Sequence, residues 1–272
     1  MRVRVLGSAA GGGLPQWNCA CARCTEARRT GAHRTQDCVA VSGDGRAWYL
    51  LNASPDLRTQ LLAAPELAPG PGPRETPVRG VLFSTAELDH TLGLPMLREA
   101  GSLAVYATAP VLTALAPVRR MVDAYTRCGW YEVVPGKAFD LDGGLSVEAV
   151  TVGGKRPRYA AGLPGDAWVV AYRIRDARTG GTFVYAPCLP AWAPSIVDNA
   201  DLVLLDGTFA HEDEMLRATG RDAPARTMGH LPMADSRPLL EATGVRYAYT
   251  HLNNTNPTAD EGVVVDGDVF RV

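Results

Sequence analysis

Three cysteines fall within six residues, Cys19, Cys21 and Cys24. Three thiolates can converge on one tetrahedral ion, zinc prefers such ligands, and a site with three Cys and one further donor is closed and therefore structural. No fourth ligand is visible close by; His33 is the nearest candidate. Unliganded thiols at a helix start are the alternative, but they leave the clustering unexplained. A second chemical pair, Asp89-His90, lies in the stretch 84–94 (STAELDHTLGL), between an apolar run at 80–83 and a helical pattern at 94–99. A turn between a buried strand and a helix lets a carboxylate and an imidazole point into open space, so the pair offers two metal ligands. A capping Asp beside a surface His is the competing reading.

Asp206 and His251 share the context of Asp89-His90: each follows an apolar strand pattern at once. In a layered α/β fold, residues just past strand ends gather along one edge, where ligands bind. His230, at the start of a helix pattern, can reach the same edge. His90, His251 and the carboxylate of Asp89 make the two-His, one-carboxylate set that suits iron(II) and leaves positions open for dioxygen or substrate. Asp206 is an additional ligand or an acceptor behind the ligands. Zinc chemistry with metal-bound water as nucleophile competes with this, as does a set of capped strand ends with satisfied side chains. His230 is the candidate acid/base or substrate-orienting group, since an imidazole moves protons near neutral pH. The long loop 153–166 (GGKRPRYAAGLPGD) carries Lys155, Arg156 and Arg158 beside Tyr159. Such a loop is either simply solvated or covers a site and holds substrate carboxylates. Gly11-Gly12-Gly13 follows the first strand pattern but lacks the spacing of a phosphate-binding loop.

The elements that must position these groups are short. Strand patterns fall at 2–7, 37–42, 47–51, 80–83, 103–107, 131–134, 138–141, 145–152, 168–173, 182–186, 202–205, 245–249, 262–265 and 269–272. Gly43-Asp44-Gly45 and Asp266-Gly267 read as hairpin turns. Helical patterns fall at 57–62, with Ser54 as cap and Pro55 in the first position, and at 110–125, 190–199 and 233–243. The Pro/Gly-rich stretch 63–77 reads as a surface loop, because strand patterns resume on both sides.

A 272-residue chain with 46% hydrophobic residues and a formal charge of −2 is globular and gives no electrostatic case for nucleic acid or an anionic membrane. No apolar run reaches the ~20 residues of a membrane span, and the N-terminal stretch lacks a signal-peptide core. A cytoplasmic location with reduced cysteines is expected. Cys38, Cys128 and Cys188 then read as small buried hydrophobes, least securely Cys188 in its Pro-flanked loop.

The segments GSAAGGGLPQWNCACARC, NASPDLR, AELDHTLGL, LLDGTF, MGHLP and HLNNTNP resemble the PqqB family of pyrroloquinoline quinone biosynthesis, within the metallo-β-lactamase-fold superfamily. The resemblance runs from the first strand to the last. It implies an αββα sandwich, one domain over residues 1–272 with a zinc-binding segment at 19–24. It also implies a structural Zn(2+) at Cys19, Cys21 and Cys24 and an active-site metal, Fe(2+), at Asp89, His90 and His251. The activity implied is iron-dependent hydroxylation of a tyrosine-derived precursor on the way to pyrroloquinoline quinone or a related natural product. A zinc-dependent hydrolase of phosphodiesterase or amidase type, and a carrier for the quinone or its precursor, stand as alternatives. Expected partners are a small amino-acid- or peptide-derived aromatic substrate, dioxygen and a second copy of the chain in a homodimer, with no nucleic acid and no membrane.

The departures are informative. Hydrolases of the superfamily have HxHxDH; here Thr85 and Glu87 stand at the two leading histidines. Between His90 and His230 the only histidine is His211, after Asp206. A two-metal hydrolytic centre would lack its first-metal ligands, which argues for one metal and against ordinary hydrolysis. PqqB sequences usually carry Asp at the position of Thr85, so a carboxylate that would support the ligands is missing. The basic loop and the region before the last strand are also short for the family, which leaves another aromatic, amino-acid-derived precursor open.

Overall fold

The computed structural model describes residues 1–258 and 262–272. Two sheets face each other. The first holds β1 (Arg2–Gly7), β2 (Cys38–Ser42), β3 (Trp48–Leu51), β4 (Val78–Leu82), β5 (Ser102–Ala107), β6 (Arg127–Glu132) and β13 (Val269–Arg271), in the order β13-β1-β2-β3-β4-β5-β6. The second holds β7 (Phe139–Leu141), β8 (Leu145–Gly153), β9 (Val169–Asp176), β10 (Thr182–Ala186), β11 (Leu202–Asp206) and β12 (Tyr247–Thr250), in the order β12-β11-β10-β9-β8-β7. The helices are α1 (Ala22–Thr30), α2 (Leu57–Leu62), α3 (Leu88–Thr91), α4 (Ala109–Ala114), α5 (Ala116–Val122), α6 (Glu214–Thr219) and α7 (Met233–Thr243).

The central strands read as nearly unbroken apolar runs because both of their faces are covered. Val39, Val41, Tyr49, Leu51 and Leu82 meet Val147, Tyr172, Ile174, Phe183 and Leu204 in one core between the sheets. On the outer face of the first sheet, Leu50, Val81 and Phe83 pack with Leu57, Val111 and Val122. On the outer face of the second, Val184, Val203 and Leu205 pack with Met233 and Leu240. Three apolar layers separated by two sheets give the αββα sandwich. Each fully buried Val or Leu contributes about 1.5–3 kcal/mol.

Several sequence expectations move. The helix expected over 110–125 is two helices, α4 and α5, broken at Leu115; Pro117 has no N–H with which to continue the ladder. The helix expected over 190–199 is only a 3-10 turn at Pro194–Ile196, since Pro194 forces Ala193 into extended backbone (φ −133°, ψ 102°). The strand expected at 131–134 lies earlier, as β6, in parallel register with β5 from Ser102↔Arg127 to Ala107↔Glu132. The stretch 262–265 forms no strand: Val263 makes a single bridge to Tyr249, and β13 pairs with β1 instead. Helix α2 starts at Leu57, and Ser54 Oγ accepts the Asp56 N–H at 3.3 Å, a step before the helix.

Candidate metal centre

The ends of β3, β4, β10, β11 and β12 deliver the chemistry to one edge of the sandwich. After β4 the chain runs through Phe83, Ser84 and Thr85 into the single turn α3, which presents Asp89 and His90. After β12 comes His251, held at φ 59°. That left-handed backbone costs a non-glycine residue about 1–2 kcal/mol, and the surrounding bonds enforce it. Leu252 N–H donates to Ser8 O at 2.9 Å and Gly207 N–H to Thr250 O at 2.8 Å. Asp89 Oδ2 thereby lies 3.3 Å from His251 Nε2 and 3.6 Å from His90 Nε2. The His90 and His251 rings meet edge to face, with centroids 4.9 Å apart.

His90 is fully buried, yet neither of its ring nitrogens has a hydrogen-bond partner among the described residues. An orphaned buried polar group of this kind costs about 1–3 kcal/mol. Burial pushes its imidazole down to about 4, so it is neutral at pH 7, the form that ligates metals. Burial works to raise the Asp89 carboxyl, but His90 and His251 outweigh it and hold Asp89 well below the usual carboxylate range. Burial lowers His251, and the adjacent Asp89 more than reverses that.

Behind these residues lies a relay that fixes tautomers. Asp206 is saturated: Oδ1 accepts from Thr208 N (3.0 Å) and Thr208 Oγ1 (2.6 Å), and Oδ2 accepts from Leu189 N (2.7 Å) and His230 Nδ1 (2.8 Å). Since Thr208 spends its one hydroxyl proton on Asp206, its oxygen must accept the 2.8 Å bond from His251 Nδ1. Both His230 and His251 then carry a proton on Nδ1, and His251 Nε2 faces Asp89 Oδ2 at 3.3 Å. Asp206, His230 and His251 offer donor atoms within 4.8 Å of one another. The carboxylate, however, is already fully engaged, which favours the orienting role for Asp206 over that of ligand. Burial works to raise Asp206, and the imidazole of His230 overrides it and keeps the carboxyl low. Thr208 is a site residue that the sequence reading passed over, although it sits in the quoted LLDGTF segment.

A buried polar network supports the floor. Asn52, at φ 66° after β3, accepts the Ser84 N–H (3.0 Å) and hydroxyl (3.1 Å) and donates to Tyr185 Oη at 2.9 Å. Tyr185 in turn donates to Asp37, which also accepts from Thr250 Oγ1 at 2.6 Å. The Asp89 turn and the His251 strand are thus joined across both sheets. Burial pushes the Asp37 carboxyl up to about 6.

Above the floor opens a cavity of about 530 Å³. Gly11 of the triple-glycine loop forms part of its wall, close against Asp89, where a Cβ would come within 3.3 Å of Oδ2. Glu87, Cys188 and the loop 153–166 also line it. The three basic residues differ. Lys155 donates to Met228 O and packs on Gly229, so it braces the segment carrying His230. Arg156 donates to Leu163 O at 2.7 Å and stacks over Trp168. Arg158 lines the cavity with no hydrogen-bond or ion-pair partner among the described residues. Tyr159 donates to Ala86 O at 2.6 Å and leans over the Asp89 turn.

The second cluster is separate. The sulfurs of Cys19, Cys21 and Cys24 lie within 4.8 Å of one another. Cys21 stands at the N-cap position of α1 and Cys24 sits in its first turn. His33 is not part of the group; its Nδ1 lies 3.5 Å from Gly31 O. The side chain that faces all three sulfurs is Asn254, with Nδ2 at 3.2, 3.8 and 3.3 Å from Cys19, Cys21 and Cys24. It comes from the far end of the sequence, which is why a local search could not find it.

The Beta-lactamase superfamily domain matches residues 47–251. The chain is 39% identical over 282 aligned residues to coenzyme PQQ synthesis protein B of Azoarcus sp., covering 96% of this chain and 92% of that one. It is equally similar to the protein of that name from Methylococcus capsulatus, at 39% identity and the same coverage. The crystal structure of Zn(2+)-bound PqqB from Methylobacterium extorquens superposes with a TM-score of 0.88 at 32% identity over the whole of both chains. A diphosphatase of the PhnP family shares the fold, with a TM-score of 0.72 at 19% identity and coverage of 100% of this chain and 97% of that one. The chain belongs to the PqqB family of the metallo-β-lactamase-fold superfamily.

Proposed function

We propose that the chain is a single-metal oxygenase that hydroxylates a tyrosine-derived aromatic precursor in the biosynthesis of pyrroloquinoline quinone or a related compound. The name of its relatives, coenzyme PQQ synthesis protein B, supports the pathway. The observation that carries the chemistry is His90, a buried neutral imidazole with no partner, placed beside Asp89 and His251. Thr85 and Glu87 occupy the first-metal positions of a hydrolase, and Thr85 Oγ1 accepts the Glu87 N–H at 3.4 Å. The residues therefore fit one metal held by two imidazoles and a carboxylate.

When bound there, iron(II) supplies the redox chemistry by which dioxygen hydroxylates an aromatic ring, with two electrons from an external reductant. The protein's own part is positioning and proton handling. Thr208 and Asp206 hold His251 Nε2 toward Asp89. His230, oriented by Asp206 through Nδ1, presents Nε2 to accept a phenolic proton. Arg158, the unpaired cation of the rim, binds a substrate carboxylate. The Cys19, Cys21 and Cys24 cluster holds zinc and ties α1 to the segment around Asn254.

Protein purified without oxygen should carry one zinc and one iron, and should convert a tyrosine- or catechol-like precursor only with dioxygen. Full turnover by His251→Ala would sink the reading. The zinc in the M. extorquens relative favours a second reading, hydrolysis. That reading predicts two zincs and turnover of a chromogenic phosphodiester or amide without oxygen.

A further inference from the structure

We infer that Cys188 is a ligand of the active-site metal, completing with Asp89, His90 and His251 a set of two imidazoles, one carboxylate and one thiolate. The inference rests on the metal reading of this site, not on the identity of the reaction.

Cys188 stands just past the end of β10, in a segment with little freedom. The next residue donates its N–H to Asp206 at 2.7 Å and accepts from Leu231 N at 2.6 Å. The same carboxylate that orients His230 and, through Thr208, His251 therefore also fixes the backbone carrying the thiol. Donor atoms of Cys188, His90 and His251 all lie within 4.8 Å of one another. Ligands held about 2.0–2.3 Å from one ion are at most about 4.6 Å apart, so small side-chain adjustments close these three on a single ion, and Asp89 Oδ2 adjoins them, 3.3 Å from His251 Nε2 and 3.6 Å from His90 Nε2.

The second observation is His90. It is 0% exposed, and both ring nitrogens lack partners. Among the described residues the Cys188 thiol makes no hydrogen bond either. Cys38, by contrast, donates to Asn52 O at 3.2 Å, and Cys19, Cys21 and Cys24 share Asn254. Two metal-type side chains thus face each other with their donor atoms unspent, while the neighbouring Asp206 is saturated by four hydrogen bonds. A carboxylate and a thiolate together neutralise a divalent ion. The sulfur biases the site toward iron and zinc and away from magnesium and manganese. The thiol proton leaves to solvent as the metal binds. Four protein donors on a six-coordinate ion leave two positions open.

The experiment uses the full chain with zinc in the Cys19, Cys21 and Cys24 site, the second metal removed by mild chelation and cobalt(II) added as the probe. The wild-type protein should bind one cobalt and develop a near-ultraviolet thiolate-to-cobalt charge-transfer band. Cys188→Ser and Cys188→Ala should lose the band and weaken cobalt binding at least about tenfold, with the zinc content unchanged. Iodoacetamide labelling resolved by peptide mass spectrometry gives a readout on the unaltered chain: cobalt should protect Cys188. An unchanged band and affinity in both variants, with cobalt binding abolished in His251→Ala, would overturn the assignment of Cys188 and leave the metal site standing. Cobalt binding unaffected by His251→Ala would overturn both. If the variants do not fold, a Cys188 labelling rate indifferent to cobalt overturns the proposal by itself.

Discussion

Replacing Thr208 by Val isolates the relay behind the metal ligands. Valine keeps the branched shape and the backbone N–H that donates to Asp206 at 3.0 Å, but removes the hydroxyl. Three contacts vanish, the 2.6 Å donation to Asp206 Oδ1, the 2.8 Å bond accepted from His251 Nδ1 and the 3.0 Å contact with His230 Nδ1. His251 is 4% exposed, so its Nδ1–H is left buried without an acceptor at a cost of about 1–3 kcal/mol. The imidazole can avoid that cost by moving its proton to Nε2, the atom that faces Asp89, which blocks ligation. Metal affinity should then fall 10–100-fold, as for other groups that orient a ligand from behind, or about 1.4–2.8 kcal/mol. Competition titration against a chelator measures this directly, with zinc at the Cys19 cluster as an internal control. Thr208→Ser keeps the hydroxyl and should restore most of the affinity. Metal binding by Thr208→Val at wild-type strength, or a serine variant as weak as the valine one, would refute the relay.

Further outcomes follow from features around the relay. Burial pushes the Glu214 carboxyl up to about 7 from an ordinary 4.5, despite donors at Thr255 and Ala210. The folded chain therefore keeps a proton that the unfolded chain has lost. Its contribution falls as pH rises from about 4.5 to about 7 and is flat above, by on the order of 3 kcal/mol. Urea unfolding at pH 5 and pH 8 should show Glu214→Gln gaining on the wild type at the higher pH; an equal difference at both would contradict the assignment. Asn52→Ala places a Cβ-bearing residue without local hydrogen bonds at φ 66° and orphans the Ser84 N–H. It should cost about 2–5 kcal/mol in the same assay, and a loss below about 1 kcal/mol would show that the network carries little. Arg158→Ala should raise KM for a carboxylated precursor about tenfold or more with kcat nearly unchanged. Lys155→Ala should instead lower kcat, because that lysine braces the His230 segment. Identical kinetic profiles for the two would remove the distinction drawn between them.

The strands were legible where burial on both faces writes itself as an apolar run, as in β3 and β11. Asp206 and His251 were legible because a polar residue directly after such a run has few places to go except the sheet edge; Asp89 comes later, on α3. Local pattern failed where a backbone donor was missing or a partner lay far off. The apolar spacing of 110–125 hides the break at Pro117, and that of 190–199 hides the effect of Pro194 on Ala193. Val263 has strand chemistry, but it makes only a single parallel bridge, to Tyr249 at the edge of the second sheet. Thr208 and Asn254 were passed over, and Cys188 read as a small hydrophobe, for one reason. Each acquires its role from atoms distant in sequence, and their residue types alone are compatible with capping, turn or core positions. Helix α6 gave no signal of its own.

The rim and the floor of the cavity are carried on different parts of the chain, and this makes the protein divisible. The metal-facing atoms hang from strand ends locked into both sheets. The residues that would meet a substrate's charge and ring, Arg158 and Tyr159, ride on a single excursion between β8 and β9. A transplanted 153–166 segment could therefore retarget the protein to a different precursor while leaving the metal floor untouched. The exceptions are Lys155, whose ammonium reaches across to Met228 O, and Tyr159, whose hydroxyl donates to Ala86 O beside the Asp89 turn. A graft that discards them would disturb the floor along with selectivity, so a designer who wants only new selectivity must carry both over.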